Sequence, residues 1–352
     1  MNKRVAMIGM SLVIVLSIAT ACGPSASSPA NTSKGVVYYL APELSDEFQV
    51  GVNKMMLADG TQMGYTVREL NGGNVASTQV NQMDDAINQK PAAIVLAAVD
   101  ASSITGEVQK ARAAGIPVLV FDRFIQDTQV DFSSVVGTVK IGQMGATEVV
   151  KALKQKFGTE KGTVFELMGD AGDNYSVLID QGFMETMKQY PNINVSSKAT
   201  PQYDPATSAS IVDDQLTAKN NNIDALFVIA DFRIPAIETV IEAHGIKTGQ
   251  IIIIGTDGAP TGLQSIRDGW MLEDVGVPMD QQVYGIWQYI ADVIAKKTIQ
   301  AASAVDVQGV TAELKVETWG PTLYLPGQIV DKSNVDDPNN WGNMKVDATP
   351  TP

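Results

Sequence analysis

Gly115-Ile116-Pro117-Val118-Leu119-Val120-Phe121-Asp122-Arg123 places a turn, a short apolar run and two adjacent charges in one stretch. A run this short and this rich in β-branched residues reads as a parallel strand buried on both faces. The same form recurs in Ala97-Ala98-Val99-Asp100, Ile229-Ala230-Asp231 and Gly255-Thr256-Asp257-Gly258. Strand-like runs lie at 36–40, 93–98, 117–121, 163–167, 225–229 and 251–254, with helical spacing between them at 141–157, 177–190 and 281–297. This alternation predicts an α/β fold of parallel sheet and crossover helices.

In open α/β sheets, ligands bind beyond the carboxyl ends of the strands. The acids that end these runs, Asp100, Asp122, Asp231 and Asp257, are therefore expected around one crevice. Gly169-Asp170-Ala171-Gly172-Asp173-Asn174 follows the run at 163–167 and adds to it. Carboxylates accept hydrogen bonds and Arg123 donates them in a fixed geometry, the pattern a polyol such as a sugar requires. Any one strand-end Asp reads equally well as a helix N-cap.

The remaining composition narrows the function. At 352 residues the chain has room for two domains. Its net charge of −14 disfavours binding to nucleic acid, which relies on clustered Lys and Arg. One Cys and one His, Cys22 and His244, leave no disulfide, no Cys-cluster metal site and no Ser-His-Asp triad. Neither a G-x-G-x-x-G fingerprint, a P-loop nor a nucleophile elbow is present, so no catalytic residue, cofactor or metal is expected. Paired carboxylates keep open a secreted carbohydrate-active enzyme.

At the N-terminus, Lys3 and Arg4 precede an apolar stretch over 5–21 and then Cys22, the form of a secretory signal peptide. Residues 1–21 are expected to be removed and 22–34 to form a tether. Ala19-Thr20-Ala21-Cys22 resembles a bacterial lipoprotein signal, which makes Cys22 a lipid attachment point and places the protein outside the cytoplasm, in the periplasm or on the outer face of the cell membrane. Ala19 stands where such signals usually carry Leu.

Three segments together carry a family resemblance: Leu44-Ser45-Asp46-Glu47-Phe48, the stretch ending in Asp122-Arg123, and Ile254-Gly255-Thr256-Asp257-Gly258. With Gly172-Asp173-Asn174-Tyr175-Ser176 and the late Asp331 to Pro338, the chain is similar to the periplasmic monosaccharide-binding proteins of ABC importers, the ribose, xylose and glucose/galactose type. The resemblance implies two Rossmann-like lobes with parallel sheets joined by a three-segment hinge, the type I periplasmic binding protein fold. The N-terminal lobe would hold 35–137 and 277–305, the C-terminal lobe 138–276 and 306–335, with 336–352 a loose tail.

It further implies a monosaccharide ligand of pentose or hexose size, an ABC importer permease as partner and a monomer anchored to the membrane by lipid. Asp46, Glu47, Phe48, Asp122, Arg123, Asp173, Asn174, Tyr203, Asp231 and Asp257 are the ligand-binding residues so implied, with Phe48 and Tyr203 on opposite faces of the sugar ring. Ala230, Val177 and Val277 replace side chains that hydrogen-bond in such proteins, and Glu47 stands where xylose-type members have Arg. A receptor for a non-sugar polyol or a cationic signalling ligand remains the alternative within the binding class.

Overall fold

The computed structural model describes residues 33–344. In the first lobe, β1 (Val36–Ala41), α1 (Glu47–Gln62), β2 (Thr66–Asn71), α2 (Ala76–Asn88), β3 (Ala93–Leu96), α3 (Thr105–Ala113), β4 (Val118–Phe121) and β5 (Phe132–Val136) alternate as expected. The second lobe repeats the theme with α4 (Thr138–Phe157), β6 (Gly162–Leu167), α5 (Asn174–Met187), β7 (Ile193–Lys198), α6 (Pro205–Ala218), β8 (Ala225–Val228), α7 (Ile234–Ala243), β9 (Ile252–Asp257), α8 (Pro260–Asp268) and β10 (Glu273–Gly276). The chain then returns through α9 (Met279–Ile294), β11 (Ala302–Val307), β12 (Val310–Glu317) and β13 (Gly320–Leu325), and ends its strands with β14 (Gln328–Asp331).

Both sheets wind alike. The eight-stranded sheet runs β11-β12-β13-β5-β4-β3-β1-β2 and the six-stranded sheet β14-β10-β9-β8-β6-β7. From β2 to β13, and from β7 to β10, every pairing is parallel; only β11, β12 and β14 pair antiparallel. Strand order reverses at β1/β3 and again at β6/β8, the switch points at which loops diverge and leave a crevice. Every residue of β3, β4 and β8 is buried, whereas edge strand β2 alternates between exposure and partial burial. Their near-continuous apolar character is thus the consequence of helices on both faces.

The chain crosses between sheets at Gly137, at Val277-Pro278 and at Pro326-Gly327. The third crossing corrects the expected boundary after 305, because β11, β12 and β13 extend the first sheet beside β5. Their signal was weak for a physical reason: β12 exposes alternate residues, so it lacks a continuous apolar run. The tail needs correcting as well. Residues 336–339 are exposed, but Asn340 and Trp341 are buried, each 5% exposed; residues 345–352 lie outside the described residues, as do the expected signal peptide, nearly all of the tether, and Cys22.

One buried acid has consequences for stability. Glu166 on β6 is fully buried, neither carboxyl oxygen has a hydrogen-bond partner, and burial, aided by Asp180, raises its pKa from 4.5 to about 9. A raised folded pKa favours the neutral acid, so this contribution to stability is whole below about pH 4.5 and is lost as pH climbs toward 9. Glu166→Gln, which cannot ionise, is expected to raise the melting temperature at pH 8 and change it little at pH 5. An equal effect at both pH values in thermal melts would contradict this origin.

Candidate ligand-binding site

Strand ends build the site from both lobes. Asp122 leaves β4, Ala230 follows β8 and Asp257 ends β9, each in the left-handed region at φ 63°, 68° and 105°. Asp tolerates this conformation through local hydrogen bonding. Gln202 and Tyr203 share it at φ 56° and 54°, and a bulky residue there is a genuine strain that the surroundings must hold in place. The Tyr203 hydroxyl donates to Asp173 Oδ2 at 2.7 Å, and its ring lies 6.0 Å from the Arg123 guanidinium and 5.5 Å from that of Arg233. Gly169 is required by the approach of this ring, since a Cβ there would sit 2.0 Å from Tyr203 Cε1.

Asp46, Phe48, Gln49, Asp122, Arg123, Asp173, Tyr175, Tyr203, Ala230, Phe232 and Asp257 enclose a cavity of about 30 Å³. Through Asp46, Tyr203 and Phe232 it adjoins an open vestibule of about 560 Å³ between the lobes. A larger depression, about 860 Å³, lies elsewhere, beside the loops that precede β4 and β5, where Arg112 already pairs with Asp131. It shares no residue with the strand-end cavity.

Polar contacts bind the wall together. Arg123, 6% exposed, sends Nη1 to the Ala98 carbonyl and places Nε 3.3 Å from Asp173 Oδ2, an ion pair from one lobe to the other. Asp173 also caps α5 by accepting from Tyr175 N at 2.9 Å. The Tyr175 hydroxyl donates to Asp257 Oδ1, and Gln282 Nε2 donates to Asp122 Oδ1 at 3.1 Å. Burial pushes the Asp122 carboxyl up to about 7 against the pull of Arg123, and pushes Asp257 up to about 6. Asp46 is likewise raised by burial and by its neighbour Glu43, while its Oδ1 caps α1 at Gln49 N.

Seven of the ten residues singled out from the sequence meet at this cavity: Asp46, Phe48, Asp122, Arg123, Asp173, Tyr203 and Asp257. Three are placed elsewhere. Asp231 is fully buried behind Ala230, where its Oδ2 accepts from Ala259 N at the start of α8. Asn174 Nδ2 donates to the Phe124 carbonyl of the opposite lobe. Glu47 lines the vestibule and accepts from Thr261 N at 3.1 Å and Thr261 Oγ1 at 2.8 Å, so it too ties one lobe to the other.

Glu47 thus sets an anionic group of one lobe on the first turn of α8 in the other, a contact suited to act as a latch. Glu47→Gln keeps the shape and removes the charge, and is expected to speed ligand release about two- to fivefold. Stopped-flow release rates equal to those of the unaltered protein would refute the latch.

Gln49, Tyr175, Phe232 and Trp341 were not singled out. Trp341 packs edge-on against Phe48 with ring centroids 5.7 Å apart, and its Nε1 donates to the Asp257 carbonyl at 2.6 Å. Tyr175 lies inside the segment quoted for its Asp and Asn, and Phe232 adjoins Asp231, so proximity was their only signal. Among the described residues, no group of three or more His, Cys, Asp or Glu is placed to hold a metal ion, and no helix is long and apolar enough to cross a membrane.

Two α/β lobes joined by three crossings, with side chains of both lobes around one enclosed cavity, define the type I periplasmic binding protein architecture. Residues 37–298 match the family model described as periplasmic binding protein domain, and the chain belongs to that family. Relatives include the D-xylose-binding periplasmic protein of Escherichia coli K12, 27% identical over 60% of this chain and 63% of that protein. The xylitol-binding protein of Mycolicibacterium smegmatis is 25% identical over 90% of this chain and 82% of its own length. The chain thus spans just under two thirds of the xylose-binding relative. Among solved structures, a carbohydrate transporter solute-binding protein from Agrobacterium radiobacter in complex with D-arabinose superposes with a TM-score of 0.75 at 18% identity, covering 88% of this chain and 99% of that one.

Proposed function

We propose that this protein is an extracytoplasmic receptor that captures a monosaccharide or a polyol of similar size by lobe closure and delivers it to an ABC importer. The observation that carries this reading is the convergence of Asp122 and Arg123 from one lobe with Asp173, Tyr203 and Asp257 from the other. A cavity of about 30 Å³ has room for roughly two water molecules, so a ligand of sugar size enters only when the lobes part. Closure then completes contacts that neither lobe can make alone, which couples ligand to the hinge equilibrium. Nothing in this cycle changes the ligand covalently. Its xylose- and xylitol-binding relatives support the ligand class.

The test is a thermal-shift screen with pentoses, hexoses, inositols and linear polyols, with product analysis of each mixture. A saturable rise is expected, because about 100-fold excess over Kd adds roughly 2.7 kcal/mol. Hydrolysis products without saturable stabilisation would instead establish a carbohydrate-active enzyme. We further propose that Cys22 carries the lipid that keeps the receptor at the membrane. Cys22→Ala should shift it from the membrane to the soluble fraction; retention in the membrane would refute the anchor.

A further inference from the structure

The enclosed cavity is short of positive charge. Four carboxylates line it, Asp46, Asp122, Asp173 and Asp257, and Arg123 is the one cationic side chain among the lining residues. That guanidinium pairs with Asp173 and gives one N–H to the Ala98 carbonyl, so its single positive charge is already matched by one of the four, although its Nε keeps an unpartnered N–H. Arg233, directly behind, gives its N–H groups to the carbonyls of Leu167, Met168, Ile229 and Ala230 and to the Ser208 hydroxyl, so it neutralises none of the four by direct contact. The hydroxyls of Tyr175 and Tyr203 are likewise spent, each on a carboxylate.

Acceptors are left over. Asp122 Oδ2 and Asp257 Oδ2 receive no hydrogen bond from the described residues. An independent group adds to them: the Gln49 side chain is 2% exposed, lines the same cavity, and its Oε1 has no partner. Outside, the vestibule adds Glu43, Glu47 and Asp204 to Asp46, and neither Lys, Arg nor His lines it. Both cavities in series therefore present negative potential to whatever enters.

A neutral hydroxyl can donate to one of these carboxylates but leaves its charge uncompensated. An ammonium donates three and accepts none. Buried carboxylates also require a compensating charge to remain ionised at low cost. We propose that the physiological ligand is cationic, an amine-bearing polyol of the amino-sugar class whose ammonium lies among Asp122, Asp257 and Gln49. This inference rests on the receptor reading and specifies its ligand.

Isothermal titration of the mature protein with matched pairs distinguishes the two ideas: glucose with glucosamine, galactose with galactosamine, sorbitol with 1-amino-1-deoxysorbitol, and the N-acetyl form of each amine. At least one amine is expected to bind about tenfold or more tightly than its hydroxyl counterpart, to lose that advantage on acetylation, and to weaken with added salt. If neutral members bind as tightly as every amine, or more tightly, the cationic ligand is overturned while the receptor reading stands. Binding by no member overturns the receptor reading and the inference together.

Discussion

Arg123→Met is expected to weaken ligand binding by about two to three orders of magnitude while leaving each lobe folded. The guanidinium is carried by the first lobe at the end of β4 and meets Asp173 of the second lobe at 3.3 Å, with both side chains almost wholly buried. Removing one partner of a buried pair strands the other charge, at a cost of about 3–5 kcal/mol. Methionine spans a similar length and fills the space without supplying a donor. Asp173 then faces only the Tyr203 hydroxyl and the backbone N–H of Tyr175.

In an open protein, water can solvate Asp173, so the penalty falls on closure rather than on the folding of either lobe. An affinity loss on the order of 10²- to 10³-fold follows, since each 1.4 kcal/mol is tenfold. Titration calorimetry measures it, and thermal melts without ligand, expected within a few degrees of the unaltered protein, exclude unfolding as the cause. An affinity within tenfold of the original would refute the central place given to Arg123.

What could be read from the sequence, and what could not, follows from how the lobes are made. Continuous apolar runs announced β1, β3, β4, β6, β8 and β9 because helices cover both faces of those strands. Acids at the ends of such runs announced Asp122 and Asp257 for the same reason. Asp231 shows the limit. β8 ends one residue earlier than its run suggests, the left-handed Ala230 takes the place beside the cavity, and the next residue is carried behind it to the start of α8.

Glu47 and Asn174 show another limit, since each bonds a residue of the opposite lobe that no local pattern connects to it. The hairpin β11–β12 turns through Gln308-Gly309, both at positive φ, and its half-exposed alternation hides it from a search for buried runs. Trp341 was hidden by its setting, a polar tail whose other residues gave no sign of a packed core. The tail holds to the second lobe through Arg267, which donates to Asp336, the Val335 carbonyl and Asn343. Its indole nonetheless backs Phe48 of the first lobe, so a ring expected to face the ligand is positioned from the other lobe.

The largest loss of stability is expected at the contact of α4 with α5. A Cβ at Gly142 would lie 2.0 Å from the Ile179 carbonyl oxygen and 2.7 Å from Phe183 N; one at Gly182 would lie 2.0 Å from the Val139 carbonyl oxygen. The obstructing atoms are backbone, so no side chain can rotate away and one helix must move. Neighbouring contacts resist that movement. Phe183 stacks on Phe227 with centroids 4.4 Å apart, and Gly145 abuts the same Phe227 ring.

Alanine gains about 1 kcal/mol over glycine in a helix interior, which offsets part of the clash, so a larger side chain gives the cleaner test. Gly142→Leu is expected to cost on the order of 3 kcal/mol or more, lowering the melting temperature by roughly 10 °C. Gly106→Ala in α3, where a Cβ meets nothing within 4 Å, should have the opposite sign and stabilise by about 0.5 kcal/mol. The clash also reaches the ligand. Asp173 caps α5 and Tyr175 stands in its first turn, so displacing this helix moves two walls of the cavity, and Gly142→Leu should weaken binding even at temperatures where the protein remains folded. If Gly142→Leu melts with the unaltered protein, the two backbones do not pack as closely as this geometry requires.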